Sequence, residues 1–267
     1  MDRIGIVAGN GQLPLIAIRS ALKKGHQVFV CAIREEAEEA IEALATETYW
    51  VKLGELKKLV NFFKKKDVSN VLFAGKITKA SIFSGKIKPD VDMIVVFATM
   101  KDRKDDTILA AICDYLEKKG LHVLDSILYL DECLPGKGVL TKKKPAKSQI
   151  KDIQFGWTLA KECARLDIGQ AVVVKEKAVL AVEAIEGTDE AIKRGGALGR
   201  GGVVVKVAKP NQDMRFDVPT VGPDTIASML RAGVSVLAFE AEKTIFVDQE
   251  AVITMANKNS IAIIGWQ

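Results

Sequence analysis

Short apolar runs alternate with amphipathic segments along the first half of the chain. The apolar runs predict five strands, at residues 3–8, 27–33, 46–53, 70–74 and 121–126, and segments with helical periodicity lie between them. Alternation of this kind is typical of βαβ units, in which helices join parallel strands. The pattern therefore predicts an N-terminal Rossmann-like α/β domain with a parallel sheet.

The pattern changes in the second half. A helix is predicted over 154–166, and two apolar runs within 170–182 meet at a tight turn, which predicts an antiparallel hairpin. We expect a short helix after Thr188, broken by Gly195 and Gly196. Four more strands and a helix that starts at Pro223 complete a C-terminal α+β domain.

The two halves are separated by a stretch without apolar periodicity. Residues 134–150 contain prolines, glycines and a cluster of lysines, and a chain of 267 residues is long for one core. We therefore predict a Rossmann-like substrate-binding domain at 1–133, a linker at 134–150 and a catalytic domain at 151–267.

Composition narrows the functional classes. The chain is 48% hydrophobic and 27% charged, as expected for a folded protein, and its net charge is +5. The basic excess forms no arginine-rich, aromatic-studded face, so we expect no nucleic-acid partner. No signal-peptide pattern or membrane-spanning run is evident, so a cytoplasmic protein is expected. Four widely spaced cysteines indicate buried thiols rather than a zinc or redox site.

The first predicted strand runs directly into a glycine turn. Gly9, Asn10, Gly11, Gln12 and Leu13 precede a predicted helix, so their backbone N–H groups are candidates for binding an anion.

A nicotinamide fingerprint is incomplete at this turn. Pro14 takes the place of the third glycine of G-x-G-x-x-G, and the second strand is followed by Arg34 rather than an acid. Gly75 and Lys76, after the fourth strand, are a second candidate for phosphate or sugar binding. A plain exposed turn is an equal alternative for this pair. In open parallel sheets, ligands bind at the carboxyl ends of strands.

Acidic and basic residues concentrate in the second half. Asp213, Arg215 and Asp217 alternate, so an extended backbone would place all three on one face. With Glu183, the two aspartates offer hard oxygen ligands that suit Mg²⁺ or Mn²⁺. A surface Asp–Arg–Asp ion-pair ladder is the alternative. The candidate metal ligands are therefore Asp217, Asp213 and Glu183.

Nearby side chains are candidates for binding the substrate. Lys209 and Arg215 are suited to phosphate oxygens, and Gln212 lies in the same stretch. Thr188 is a further candidate, with helix capping as its alternative role. The candidate catalytic residues are Asp217, Asp213 and Arg215.

Four segments resemble the LpxI-type UDP-2,3-diacylglucosamine pyrophosphatases of lipid A synthesis. The two that carry most of the resemblance lie in the second half of the chain. The segments are 6–14 (IVAGNGQLP), 104–107 (KDDT), 183–189 (EAIEGTD) and 209–222 (KPNQDMRFDVPTVG).

The resemblance implies a Mg²⁺-dependent hydrolase that converts UDP-2,3-diacylglucosamine to UMP and 2,3-diacylglucosamine 1-phosphate (lipid X). It implies water attack at the α-phosphorus and an essential aspartate at Asp217. Peripheral contact with the cytoplasmic face of the inner membrane is a further expectation. For the oligomeric state, a monomer and a homodimer are both retained as alternatives. The alternatives are a nucleotide- or lipid-binding protein without catalysis and, less favoured, an NAD-dependent oxidoreductase.

Overall fold

A computed structural model describes residues 2–77, 88–100, 105–210 and 212–267, with the side chains of Asp105 and Asp106 excepted. The chain forms two compact units. Unit 1 comprises 1–131 together with 214–217, and unit 2 comprises 132–213 and 218–267. Two residues of the segments discussed above, Lys104 and Asn211, lie outside the described residues.

Unit 1 contains a five-stranded parallel sheet, which confirms the predicted fold class. The strand order is β3-β2-β1-β4-β5. The strands are β1 (Arg3–Ala8), β2 (Gln27–Ile33), β3 (Glu47–Val51), β4 (Asn70–Ala74) and β5 (His122–Val123). The last strand is shorter than predicted, because a 3-10 helix, Ser126–Tyr129, begins shortly after it.

Four described helices surround this sheet. They are α1 (Leu13–Lys23), α2 (Leu56–Lys65), α3 (Val91–Thr99) and α4 (Asp105–Lys118). Helix α2 buries Leu56, Leu59, Val60 and Phe63, which lie on one face at helical spacing. Phe63 is fully buried in the unit 1 core, and Phe216 packs against the same core.

Unit 2 is built on a six-stranded mixed sheet in the order β6-β13-β11-β9-β7-β8. Strands β9, β11 and β13 are parallel, whereas β6, β7 and β8 pair antiparallel. The six strands are β6 (Gly138–Val139), β7 (Ala171–Lys175), β8 (Ala178–Val182), β9 (Val203–Lys206), β11 (Val236–Glu240) and β13 (Ala262–Trp266).

The remaining elements of unit 2 are a small parallel pair and four helices. The pair consists of β10 (Thr220–Val221) and β12 (Ile245–Phe246). The helices are α5 (Lys147–Arg165), α6 (Thr188–Leu198), α7 (Pro223–Ala232) and α8 (Gln249–Lys258). Part of the stretch predicted as a linker is folded, since it contains β6 and the first turn of α5.

The predicted break at Gly195 and Gly196 is wrong, because α6 continues through both glycines to Leu198. An added Cβ at Gly195 would meet the Val173 side chain at 2.6 Å. At Gly196 it would meet the Ala232 carbonyl oxygen at 2.2 Å. The two glycines therefore permit α6 to pack closely on β7 and α7, and they do not end the helix.

Candidate active site

The two glycine turns of unit 1 lie side by side. Strands β1 and β4 are neighbours, and β2 lies on the other side of β1. The sheet order therefore reverses between β1 and β4, and such a switch point opens a crevice at the carboxyl ends of the strands. Asn10 N–H donates to the Lys76 carbonyl at 2.7 Å, and Lys76 N–H donates to the Asn10 carbonyl at 3.0 Å. The structure thus brings Asn10 and Lys76 together.

Glycine is required at two points of this junction. A Cβ at Gly9 would lie 2.5 Å from the Lys76 carbonyl oxygen. Gly75 has a φ of +90°, and a Cβ there would lie 2.7 Å from the Asn10 carbonyl oxygen. The close approach of the two backbones explains both glycines without a ligand. Asn10 and Lys76 are exposed.

The residues after Gly9 lead into helix α1. Asn10 Nδ2 donates to the Glu36 carbonyl at 3.2 Å, and Gln12 Nε2 donates to Glu38 Oε1 at 3.0 Å. Gln12 occupies the N-cap position but makes no side-chain cap hydrogen bond. Leu13, the first helical residue, is half-buried, and Gly11 has a φ of +93°. The α1 N-terminus therefore presents backbone donors that a negatively charged group can accept from.

The stretch with the alternating charges is not extended. Residues 214–216 form a turn, so strand alternation does not place Asp213, Arg215 and Asp217 on one face. The premise of that prediction fails because the turn is fixed by contacts with a distant segment. All three side chains are half-buried.

Ser126 provides those contacts within unit 1. Its N–H donates to the Met214 carbonyl at 2.8 Å. Its hydroxyl lies within hydrogen-bonding distance of the Phe73 carbonyl, at 2.8 Å, and of the Arg215 carbonyl. Ser126 is 7% exposed, and the neighbouring Phe216 packs on the unit 1 core. The turn that leads to Asp217 is therefore anchored to the end of β4.

Arg215 contributes to the electrostatics of this region. The pKa of the Glu117 carboxyl is lowered, chiefly by a hydrogen bond from the Val123 N–H and, to a smaller extent, by the positive charge of Arg215. The Arg215 guanidinium also lies 5.9 Å from the centroid of the Phe216 ring. Its charge is thus present in unit 1, together with Asp217.

In unit 2, Glu183 and Thr188 belong to one buried polar network. The Thr188 hydroxyl donates to Glu183 Oε1 at 2.8 Å, and the Gln170 N–H donates to Glu183 Oε2 at 3.3 Å. Lys206 Nζ donates to Thr188 Oγ1 at 3.1 Å and to the Thr220 carbonyl at 2.9 Å. Gly187 is the N-cap of α6, so Thr188 does not have the alternative capping role. The Thr188 hydroxyl thus links the buried ammonium of Lys206 to the buried carboxylate of Glu183.

Lys209 and Gln212 close the turn that follows β9. The Lys209 N–H donates to Gln212 Oε1 at 2.7 Å, and the Gln212 N–H donates to the Lys209 carbonyl at 3.2 Å. Lys209 Nζ also lies 2.9 Å from Asp167 Oδ1. The structure thus brings together two of the substrate-binding candidates.

Sequence patterns did not identify three buried polar residues near these segments. Ser126, Lys206 and Glu240 are each 6–7% exposed. Burial raises the pKa of Glu240, but hydrogen bonds from Lys161, the Ala208 N–H and Lys243 outweigh it, so the pKa lies below the ordinary 4.5. Lys206 and Glu240 could have been identified from their places in the chain, because each is the last residue of a parallel strand, where ligands bind in open sheets.

The candidate metal ligands are divided between the units. Asp217 belongs to unit 1, whereas Asp213 and Glu183 belong to unit 2. Within the described part of the chain, no group of three or more His, Cys, Asp or Glu side chains is arranged to hold a metal ion. Magnesium bound with substrate phosphate and water needs only one or two carboxylates. Each of the three candidates, Asp217, Asp213 and Glu183, offers a carboxylate of the kind that Mg²⁺ prefers, and both oxygens of Glu183 accept hydrogen bonds.

Comparisons with known proteins cover nearly the whole chain. The model of the LpxI N-terminal domain matches residues 3–133, and that of the LpxI C-terminal domain matches 136–264. The UDP-2,3-diacylglucosamine pyrophosphatase LpxI of Caulobacter vibrioides is 32% identical over 277 aligned positions, with 99% of this chain and 98% of that protein covered.

Two solved structures show distant similarity. A nucleoside-diphosphate-sugar epimerase from Pseudomonas aeruginosa is 10% identical, with 98% of this chain and 70% of that one covered and a TM-score of 0.34. The biotin carboxylase domain of a thermophilic 2-oxoglutarate carboxylase is 11% identical, with 65% and 35% covered and a TM-score of 0.29. Similarity this low supports no argument about function.

Proposed function

The chain belongs to the LpxI family, and from that membership we propose that it cleaves the pyrophosphate bond of UDP-2,3-diacylglucosamine. The observation that carries the proposal is the 32% identity to the Caulobacter pyrophosphatase over 99% of the chain. The proposed products are UMP and 2,3-diacylglucosamine 1-phosphate, with water attacking the α-phosphorus.

The reaction requires positive charge at the phosphates. A pyrophosphate diester carries two negative charges, which repel an incoming hydroxide unless cations neutralise them. In the proposal, Lys209 and Arg215 bind phosphate oxygens, and the guanidinium of Arg215 offers two parallel donors. The half-buried position of both side chains favours this role, because electrostatic attraction strengthens as water is excluded.

Asp217 and Asp213 are the proposed ligands of Mg²⁺ or Mn²⁺. Such an ion, when bound, lowers the pKa of a coordinated water and shields phosphate charge. The role of the protein is to hold the two carboxylates: Ser126 and Phe216 anchor the turn before Asp217. The Lys209–Gln212 turn ends directly before Asp213.

Product analysis tests the proposed reaction. The protein is incubated with labelled UDP-2,3-diacylglucosamine and Mg²⁺ in water enriched in heavy oxygen, and both products are analysed by mass spectrometry. We expect UMP and the sugar 1-phosphate, with the heavy oxygen in UMP. Release of UDP would show that a different bond is cleaved and would refute the proposed reaction. No cleavage together with tight binding of the intact diester would favour the non-catalytic binding protein.

Asp217→Ala tests the proposed catalytic group. We expect turnover to fall by at least about a thousandfold, because a side chain that acts in the transition state is lost. Asp224→Ala is the matched control, since Asp224 is an exposed aspartate in the first turn of α7. Normal turnover by Asp217→Ala, or an equal loss in both variants, would exclude the proposed role.

The metal requirement is tested separately. Chelator-treated enzyme is assayed with and without added Mg²⁺ or Mn²⁺, and Mn²⁺ binding is followed by electron paramagnetic resonance in wild type and in the Asp217→Ala variant. We expect activity only with added metal, and weaker Mn²⁺ binding in the variant. Equal activity with and without metal would refute the requirement.

Peripheral contact with an anionic membrane is the second part of the proposal. Helix α3 has an exposed apolar face, on which Val91, Ile94, Val95 and Phe97 are 40–67% exposed. Residues 76–104 contain seven lysines and arginines but only three aspartates. An exposed apolar face within a basic stretch of sequence suits an anionic bilayer surface. None of the described helices has the length and apolar composition needed to cross a membrane.

Vesicle sedimentation tests this contact. Binding to phosphatidylglycerol vesicles should exceed binding to phosphatidylcholine vesicles and should decrease with salt. Ile94→Glu should weaken it, whereas Leu198→Glu, at a site 72% exposed on α6 of unit 2, should not. Equal binding by the two variants would refute the assignment to α3. Sedimentation equilibrium without vesicles distinguishes a monomer from a homodimer.

A further inference from the structure

The backbone of Ala208 is held by an ion pair between buried Glu240 and half-buried Lys161, which lie on two other elements. Glu240, the last residue of β11, accepts a hydrogen bond from the Ala208 N–H at 2.8 Å. Lys161, on α5, donates to the Ala208 carbonyl at 3.1 Å and forms an ion pair with Glu240. Both polar backbone groups of one residue are therefore bound by one pair of opposite charges.

Ala208 lies between the end of β9 and the turn that Lys209 and Gln212 close. Strand β9 ends at Lys206, where Lys206 is in register with Phe239 of β11. Ala208 lies two residues beyond this ladder and is 1% exposed, so its N–H and carbonyl need other partners. Lys209 follows directly and begins the turn with Gln212. The ion pair consequently fixes the point from which the charged stretch leaves the sheet.

Stability alone is a weak explanation for such a pair. The Glu240 side chain is 7% exposed and that of Lys161 is 28% exposed, so both charges lose much of their hydration on folding. An apolar pair of similar size often gives equal or greater stability at a buried position. An apolar pair, however, would leave the Ala208 N–H and carbonyl without partners. What the ion pair adds is therefore a defined backbone position.

We propose that Lys161 and Glu240 are positioning residues, which hold Ala208 so that Lys209 and Gln212 are placed to bind the substrate. The proposal rests on the substrate-binding role of Lys209 and Gln212 given above. Neither Lys161 nor Glu240 is placed in contact with the substrate. Their effect on the reaction passes through the backbone of Ala208.

The structure supplies a matched control. Lys243 Nζ lies 3.1 Å from Glu240 Oε1, the oxygen that does not contact Ala208, and its side chain is 57% exposed. Lys161→Met and Lys243→Met each remove one ammonium group from Glu240. Only Lys161→Met also removes the donor to the Ala208 carbonyl. Lys161→Arg retains a donor and a positive charge at this place.

Steady-state kinetics on UDP-2,3-diacylglucosamine form the first measurement. For Lys161→Met we expect KM to rise about tenfold, which corresponds to one lost charge-assisted hydrogen bond, and kcat to change by less than about threefold. Lys243→Met should keep KM within about twofold, and Lys161→Arg should recover most of the loss. Equal KM values for Lys161→Met and Lys243→Met would overturn the proposal. So would a lowered melting temperature with an unchanged KM.

Hydrogen exchange of the free protein forms the second measurement and requires no substrate. The peptide that covers residues 207–213 should exchange faster in Lys161→Met than in wild type or Lys243→Met. Unchanged exchange in Lys161→Met would overturn the proposed restraint on Ala208. If wild-type protein releases no UMP, the proposed function fails, and exchange still decides whether the ion pair holds this backbone.

Discussion

Replacement of Ser126 by alanine tests the anchoring of the turn at 214–216. The substitution removes the hydroxyl that lies between the Phe73 and Arg215 carbonyls. It retains the backbone hydrogen bond from the Ser126 N–H to the Met214 carbonyl and the packing of Phe216. The turn is therefore loosened rather than released.

The magnitude follows from the chemistry of one hydroxyl. A serine hydroxyl carries a single proton, so it donates to one of the two carbonyls at a time. Loss of a hydrogen bond at a site 7% exposed costs about 1–2 kcal/mol. If Asp217 acts only when the turn is anchored, kcat/KM should fall roughly five- to thirtyfold. The thermal transition of unit 1 should move down by about 2–8 °C.

The assay combines UMP release with hydrogen exchange of the peptide covering 212–218. The control is Ser228→Ala, because Ser228 is also 7% exposed and its hydroxyl accepts a hydrogen bond from Arg231 at 3.1 Å. Ser228 lies on α7 of unit 2 and should affect stability without changing kcat/KM. A lower melting temperature of Ser126→Ala with wild-type kcat/KM and wild-type exchange would refute the anchoring role of the hydroxyl.

Three further predictions concern stability and are measured by urea or thermal unfolding. Gly196→Ala should destabilise unit 2 by about 1–3 kcal/mol, because the new Cβ would meet the Ala232 carbonyl. Gly136→Ala is the control and should be nearly neutral, since a Cβ there meets nothing within 4 Å. Phe63→Ala should cost unit 1 about 3–5 kcal/mol, because the ring is fully buried in its core; a loss under about 1 kcal/mol would contradict the packing. The pKa of Glu240 lies below the ordinary 4.5 in the folded state, so its carboxylate stabilises the fold above the ordinary pKa, and this contribution is lost as pH falls through the lower folded value. Glu240→Gln should therefore flatten the decline in stability on acidification below about pH 5, and an unchanged slope would contradict this.

The regular parts of the fold could be predicted because their signals are local. Strand β1, the turn at Gly9 and helix α1 follow from apolar runs, glycine and 3.6-residue periodicity, and the structure confirms them. Even the meeting of the Gly9 and Gly75 turns follows from a general rule about parallel sheets. Helix α3 gave no such signal, because apolar residues occupy its exposed as well as its buried face.

The errors share a cause in long-range packing. Gly195 and Gly196 predict a helix break from local propensity, but contacts with Val173 and Ala232 make glycine the residue that allows the helix to pack. The alternation of charges at 213–217 would place the three side chains on one face only if the backbone were extended. The hydrogen bond of Ser126 to a residue 89 positions later in the chain instead supports a turn. No spacing within a motif contains that information.

The charged stretch is thus controlled from both ends by residues outside it. At its start, Glu240 and Lys161 hold Ala208 within unit 2. Near its end, Ser126 holds the turn before Asp217 within unit 1. The groups proposed to bind phosphate lie along the chain between two anchors that are distant in sequence. Substitutions at the anchors should therefore alter how well those groups are placed while their chemistry stays intact. A search for reactive side chains alone would overlook Ser126, Lys161 and Glu240, since none of them needs to touch the substrate to affect its cleavage.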